Sequence, residues 1–248
     1  MSTAGETSFH YDGKVQLLFN PAKHLYTVDG NAVYGVTSIL GVIAKPQLIA
    51  WAANEAAKFI EENLKPGQSL DEIEIKKLAK DAAAAHRMKR DKSADIGHLA
   101  HAWVEHYIKT GEKNDIVNPE IQNAVDAFLK WESEHSVQWL KSEVKVLSRI
   151  YNYAGTFDFI AIVDGKKVLG DLKTGSGVYP EMFLQTSAYQ LAYQEEFPKE
   201  EFDGHLILNA RKDGGFEAVD SDSTDFAPNS QAFMAAVKLY AWQRARGK

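Results

Sequence analysis

The stretch from Gly155 to Thr174, GTFDFIAIVDGKKVLGDLKT, holds three residues whose types and spacing suit chemistry: Asp158, Asp171 and Lys173. Side chains on a strand alternate between faces, so Asp171 and Lys173 share one. Asp164-Gly165 signals a hairpin, and residues opposite each other in an antiparallel pair also share a face. A loop at Asp164-Gly165 sets Asp158 opposite Asp171, whereas a loop at Gly165-Lys166 sets it opposite Lys173. Both registers gather the three side chains on one face. Two carboxylates held close repel each other, and a shared proton or a cation relieves that repulsion. A hard divalent ion with oxygen ligands meets the need, and an ammonium beside it would position and polarise a water. The competing reading is a solvated Asp–Lys pair on a hairpin, which is common and contributes little to stability.

Other residues add to this set. Gly97, His101 and Glu105 fall on one face of a predicted helix. Imidazole is a common metal ligand, and glycine admits close approach of another backbone. His98 and His106 read as ordinary solvated or hydrogen-bonded histidines. Glu143 lies in the preceding strand, on the face expected to carry Trp139, Lys141 and Lys145. Gln185 and Tyr189, at i and i+4, project together from a helix whose Leu184, Ala188 and Leu191 turn to the core. Singly, each of these has an unexceptional structural explanation.

The elements that must position them can be read along the chain. Residues 1–14 are expected to be loose. Val15–Asn20 and Leu25–Val28 read as short strands, with turns at Asn20-Pro21-Ala22-Lys23 and Asp29-Gly30-Asn31. Pro46 suits a first helical position, and strong helix formers run from Gln47 to Leu64 until Lys65-Pro66-Gly67. Ser69-Leu70-Asp71-Glu72 has capping-box spacing and opens a helix to about residue 90. A third helix covers 94–109, and Asn118-Pro119 starts a fourth. The period then changes, with strands at 138–148, 156–163 and 167–174. A helix from Pro180, two strands near 205–210 and 216–219, and a helix over 229–246 follow. This order predicts an α/β fold: a central mixed β-sheet flanked by helices, with a helical N-terminal elaboration. One domain over 1–248 is expected, mainly helical over 36–135 and with its α/β core at 136–248.

Composition narrows the function. The chain has 248 residues, 45% apolar and 25% charged, enough for a substantial core. It has no cysteine, which excludes disulfides, thiolate zinc sites and cysteine-ligated iron–sulfur clusters. Any metal must then be held by oxygen or imidazole, which points to Mg²⁺ or Mn²⁺ if carboxylates dominate. A formal charge of −6 argues against a protein that coats nucleic acid indiscriminately, though not against a local basic groove. No apolar run reaches the roughly 20 residues of a membrane span, and the N-terminus lacks a signal-peptide stretch. The expectation is an intracellular protein, in the cytoplasm of a bacterium or a phage-infected cell.

The order G-x-x-x-H (Gly97, His101), Glu143, G-T-x-D (Gly155 to Asp158), D-x-K-T (Asp171 to Thr174) and Q-x-x-x-Y (Gln185, Tyr189) resembles the PD-(D/E)XK nuclease superfamily, most nearly its RecB-type branch. Val36-Thr37-Ser38-Ile39-Leu40 followed by Trp51 is similar to the mitochondrial genome maintenance exonucleases and their phage-encoded relatives. The resemblance covers roughly residues 36–193 and implies a restriction-endonuclease-like core. It implies Asp158 and Asp171 as ligands of the catalytic metal, with the Leu172 carbonyl and His101 as further ligands. Lys173 would assist the nucleophilic water, and Glu143 would support a metal-bound water or a second ion. Gln185, Tyr189 and Thr174 would order the site and contact DNA. Gly170 before Asp171 and the missing proline of the superfamily name are departures at variable positions. The absence of cysteine excludes the iron–sulfur subgroup.

The expected function is therefore a divalent-metal-dependent DNA nuclease, an exonuclease acting on DNA ends with single-stranded DNA as substrate. The alternatives are a structure-specific endonuclease or nuclease module of a recombination machine, and an inactive nucleic-acid-binding module. Lys76, Lys77, Lys80, Arg87, Lys89, Arg90 and Lys92 form the densest basic run, readable as a phosphate contact or as a solvated helix face. Trp51, Trp103 and Tyr107 read as base-stacking or core aromatics.

Overall fold

Asp164 and Gly165 have φ of 49° and 83°, the left-handed pair that a two-residue type I′ turn requires. That turn sets the register of β6 (Tyr153–Val163) and β7 (Lys166–Lys173), which pair antiparallel from Val163↔Lys166 to Phe159↔Gly170. Of the two registers the sequence allowed, this is the one with Asp164-Gly165 as the loop, and one further step brings Asp158 level with Asp171. β5 (Val137–Ser148) runs antiparallel along β6 from end to end. On the other side β7 lies parallel to β8 (Gly204–Ala210), and β8 antiparallel to β9 (Phe216–Asp222). The parallel pair needs a crossover, which α5 (Pro180–Glu196) supplies.

The computed structural model describes residues 5–247, and these divide into a sheet unit, up to Ile43 and again from Ala100, and a helical unit, Ala44–Leu99. The sheet unit begins with an antiparallel meander of β1 (Glu6–His10), β2 (Val15–Asn20), β3 (Leu25–Val28) and β4 (Asn31–Gly35). β4 joins the start of β6 in parallel, Tyr34↔Tyr153 and Gly35↔Ala154, completing a nine-stranded mixed sheet. β2 and β3 match their sequence reading. β1 runs where loose chain is expected, held by an imidazole–carboxylate contact of 2.8 Å between His10 and Glu196 of α5. Of the rest of that stretch, residues 1–4 lie outside the described residues.

Helices flank both faces of the sheet. The short α1 (Val36–Leu40), α5 and α6 (Phe226–Arg244) close one face around Tyr153, Phe157, Tyr189, Tyr193 and Phe233. On the other face, α4 (Pro119–Glu134) sets Phe128 and Trp131 against Trp139 of β5 and Phe216 of β9. α4 starts as its sequence predicts: the Asn118 side chain accepts the Glu120 N–H at 2.8 Å, a cap that contributes about 1 kcal/mol.

The helical unit holds α2 (Pro46–Asn63) and the first part of α3 (Glu72–Thr110), whose residues from Ala100 belong to the sheet unit. α3 is one helix of 39 residues where two are expected, because Asp91-Lys92-Ser93 contains no glycine or proline to break it. Its capping box lies two residues beyond the expected one. Glu74 N–H donates to Asp71 Oδ1 at 2.8 Å, and Asp71 N–H donates to Glu74 Oε2 at 2.9 Å. Among the described residues, no helix is long and apolar enough to cross a membrane.

Candidate active site at a fork in the sheet

One edge of β6 is shared. Its first two residues pair with β4 and its last five with β7, and Gly155, Thr156 and Asp158 between them line a cavity of about 260 Å³. The regular alternation of side chains breaks at the same place. Phe157 packs on Tyr189 and Tyr193 of α5, yet Phe159, two residues on, packs edge-on against Trp139 on the α4 face. Across from Asp158, Glu143 falls between the pairs Ser142↔Phe159 and Val144↔Phe157 and has φ of 51°. For a non-glycine residue that backbone costs roughly 1–2 kcal/mol, and such outliers gather at functional sites.

A bulge between Trp139 and Lys141 corrects the face assigned to Glu143's neighbours. The Trp139 indole N–H donates to Glu132 of α4 at 2.6 Å, while the Lys141 ammonium donates to the Tyr193 hydroxyl at 2.8 Å on the opposite face. Trp139 and Lys141 therefore do not share a face. Glu143 and Lys145 do line the cavity.

The predicted residues meet there. His101 reaches in from α3, its Nδ1 at 3.3 Å from Asp158 Oδ1, and the Leu172 N–H donates to Asp158 Oδ2 at 2.5 Å. Asp171 is 4% exposed, and its Oδ1 accepts from Gln185 Nε2 at 3.2 Å. Its buried Oδ2 receives no hydrogen bond of regular geometry and has the Lys173 ammonium against it as an ion pair. Gln185 also donates to the Tyr189 hydroxyl at 2.9 Å, so the i, i+4 pair forms as the sequence suggests. Tyr189 in turn lies over the backbone of Gly155, where a Cβ would collide with its ring. The motif glycine thus seats Tyr189, Tyr189 holds Gln185, and Gln185 orients Asp171. Gly170 has a comparable reason: Phe159 covers it so closely that a side chain there would collide with the ring.

The charges are coupled through burial. Burial pushes the Asp171 carboxyl above its ordinary range; the Lys173 ammonium opposes the shift and Asp158 adds to it. Burial also opposes ionisation of Asp158, but His101, Lys173 and the Leu172 N–H together hold it below the usual value. Burial acts against His101 and Lys173, and the two aspartates outweigh it, raising both pKa values. Glu143 is pushed up to about 8 by burial, with Asp158 and Glu105 adding to the shift.

This yields a prediction for Glu143. Its folded pKa lies above the unperturbed 4.5, so its contribution to stability is full below 4.5 and is lost as pH rises through about 8. Glu143→Gln removes that loss. In EDTA, the melting temperature of Glu143→Gln relative to wild type should climb from about pH 5 to about pH 9, by an amount equivalent to at most a few kcal/mol. A difference that stays constant with pH would mean that Glu143 is already ionised in the fold.

The Asp158 and Asp171 carboxylates suit a hard divalent cation, and the buried Asp171 Oδ2, which has only the Lys173 ammonium against it, is a fitting ligand atom. Among the described residues, no three His, Asp or Glu side chains converge on one point at ligand distances, because Lys173 and His101 lie against the two aspartates. Thr174, just past β7, does not line the cavity. Trp103 stacks on Tyr107 at 5.5 Å and donates to the Asn114 carbonyl, while the Tyr107 hydroxyl donates to Glu132, so both are structural. Sequence reasoning missed Tyr26, whose hydroxyl lies 3.1 Å from Thr156 Oγ1, and the pairing of Lys145 with Glu6 at 2.8 Å. The cross-strand aromatic pair of the β2–β3 hairpin, Phe19 opposite Tyr26, was the available signal.

Comparison with protein-family models finds no match, and comparison with curated proteins finds none either. Solved structures similar to the chain include the protein SSO0001, at 12% identity and a TM-score of 0.29 over 76% of this chain and 86% of that one. Another is an alkaline exonuclease, LHK-Exo, from Laribacter hongkongensis, at 13% identity and a TM-score of 0.28 over 63% of this chain and 90% of that one. The same exonuclease in complex with dAMP gives 13% identity and 0.27 over 60% and 84%. Overlaps this loose leave function to be argued from the residues. What fold and site define is an α/β protein with a carboxylate–lysine–histidine cluster in a cleft where its mixed sheet forks.

Proposed function

We propose that this protein is a divalent-metal-dependent DNA nuclease that hydrolyses phosphodiester bonds, and within that class an exonuclease acting on ends of single-stranded DNA. The observation that carries the reading is the gathering of His101, Glu143, Asp158, Asp171, Lys173 and Gln185 around one cavity. These are the residues singled out by the order of motifs resembling the PD-(D/E)XK superfamily, and an inactive binding module would not need them together. Asp158, Asp171, His101 and the Leu172 carbonyl would hold Mg²⁺ or Mn²⁺, which supplies charge neutralisation at a phosphate and a more acidic water.

The chain's own groups do the rest. Lys173, with 24% of its side chain exposed, can donate from Nζ to a water or a phosphate oxygen as negative charge builds there. Gln185 and Tyr189 keep Asp171 in place through the transfer. In the reaction the water oxygen bonds to phosphorus, one ester P–O bond breaks, and the leaving oxygen takes up a proton.

Labelled linear and circular single-stranded DNA, each incubated with Mg²⁺, Mn²⁺ or EDTA, test the reading. Loss of the linear form alone, with either metal and not in EDTA, is the expected result. Cutting of both forms would replace the exonuclease with an endonuclease. No cutting of either would leave a binding module.

A further inference from the structure

The cleft has an aromatic wall that phosphodiester hydrolysis does not use. Beyond Glu143 and Lys145 the same cavity is lined by Phe19, His24 and Tyr26, from the β2–β3 hairpin. Phe19 and Tyr26 stack with ring centroids 4.5 Å apart at 27°. His24 stands nearly perpendicular to Phe19, at 5.5 Å and 84°. The wall is fixed to the site from two sides. Tyr26 is bonded to Thr156, two residues from Asp158 on the same strand, and His24 Nε2 lies 3.3 Å from Thr37 Oγ1 of α1.

Core packing explains only part of this arrangement. Tyr26 is buried and belongs to the meander's small core, with Phe19 partly buried against it. His24 is exposed, and it occupies a left-handed backbone of φ 47°, a conformation uncommon outside glycine that histidine and asparagine tolerate better than most residues. An exposed aromatic ring held edge-on to another aromatic ring, on the wall of a charged cleft, suits a flat ligand rather than an ion. Nucleobases are such ligands. Every base offers a π-face, and stacking on an aromatic side chain tolerates any sequence.

We propose that Phe19 and His24 form a stacking subsite for one nucleobase of the strand whose phosphate lies at Asp158, Asp171 and Lys173. This rests on the nuclease reading and adds to it the contact that holds the base. Because a single cavity is lined by both, the stacked base belongs to a nucleotide next to the bond being cut or one removed from it. Tyr26 is a positioning residue behind the wall.

The test uses single-stranded oligonucleotides carrying one abasic residue, stepped along the strand, with cleavage at each bond resolved on a gel. Wild type should slow at one fixed offset between the abasic residue and the bond. The expected loss there is about tenfold, the scale of one stacked base, and it should appear in KM more than in kcat. His24→Asn keeps a residue that tolerates the left-handed backbone, and Phe19→Leu keeps apolar packing on Tyr26. Each variant should melt near the wild-type temperature, cut intact DNA about tenfold less efficiently, and lose the penalty at that offset. A wild type that cuts DNA with no preferred abasic offset overturns the subsite and leaves the nuclease reading standing. So do variants that keep the full penalty. A wild type that cuts none of the oligonucleotides overturns both.

Discussion

Asp171→Asn should fold, bind DNA and fail to cut it. The substitution keeps the shape of a side chain that is 4% exposed, and an asparagine Oδ1 can still accept from Gln185 Nε2. What disappears is the negative charge at the buried Oδ2, which faces Lys173 and would face a cation. Without it one anionic ligand is gone, and the electrostatic centre that offsets charge growing on the phosphate weakens with it. The expected loss is of order 10³-fold or more in single-turnover cleavage with Mg²⁺. Binding moves the other way. One negative charge fewer beside a phosphate leaves affinity for an oligonucleotide equal or higher, as fluorescence anisotropy at fixed salt would report. Circular dichroism and melting of the variant separate loss of chemistry from loss of fold. Cutting at the wild-type rate with Mg²⁺ would remove Asp171 from the catalytic set.

The grouping of Asp158, Asp171 and Lys173 was legible because it needed only local physics: a two-residue turn and the alternation of a pleated strand. Either register put the three side chains on one face, and the left-handed φ values at Asp164 and Gly165 selected the one that sets Asp158 level with Asp171. The details that shape the site lay beyond that reasoning. Parity assumes regular strands, yet β6 breaks its alternation at Asp158 and β5 carries Glu143 at positive φ. A glutamate in left-handed backbone has no compositional mark, since the conformation is imposed by what packs around it. The bulge before Lys141 is equally silent, and it alone turns Trp139 to α4 and Lys141 to α5.

Distance along the chain hid the remainder. β1 and β4 are short strands without clear alternation, and contacts more than a hundred residues away stabilise them: His10 with Glu196, and Tyr34 beside Tyr153. The two-step parallel pairing of β4 with β6 brings the β2–β3 hairpin to the cleft, so Phe19, His24 and Tyr26 read from sequence only as hairpin residues. The motif glycine at 155 shows the converse. Its place in the order of motifs was legible, while its reason, the Tyr189 ring lying over it, required the fold.

Lys173→Ala separates a catalytic ammonium from a charge that merely balances Asp171. Burial acts against the charge on Lys173, but Asp171 and Asp158 outweigh it and hold its pKa above the ordinary value, which favours the ammonium. Its side chain is 24% exposed, against 4% for Asp171, which gives Nζ access to whatever enters the cavity. If that ammonium acts on the water and the scissile phosphate, its loss should cut single-turnover cleavage by about 10²-fold or more, even with Mn²⁺ at saturation. Metal affinity should hold or improve, because a competing cation leaves the two aspartates. Proton competition works against that gain. Lys173 lowers the Asp171 pKa, so without it Asp171 retains its proton to higher pH, and the metal must displace that proton to bind. Calorimetric titration of Mn²⁺ at about pH 6 and about pH 8 should therefore show a steeper pH dependence of affinity in the variant than in wild type. Under the balancing role, affinity would change and the saturated rate would not. A Lys173→Ala protein that cuts at the wild-type rate once its metal site is filled would refute the catalytic assignment.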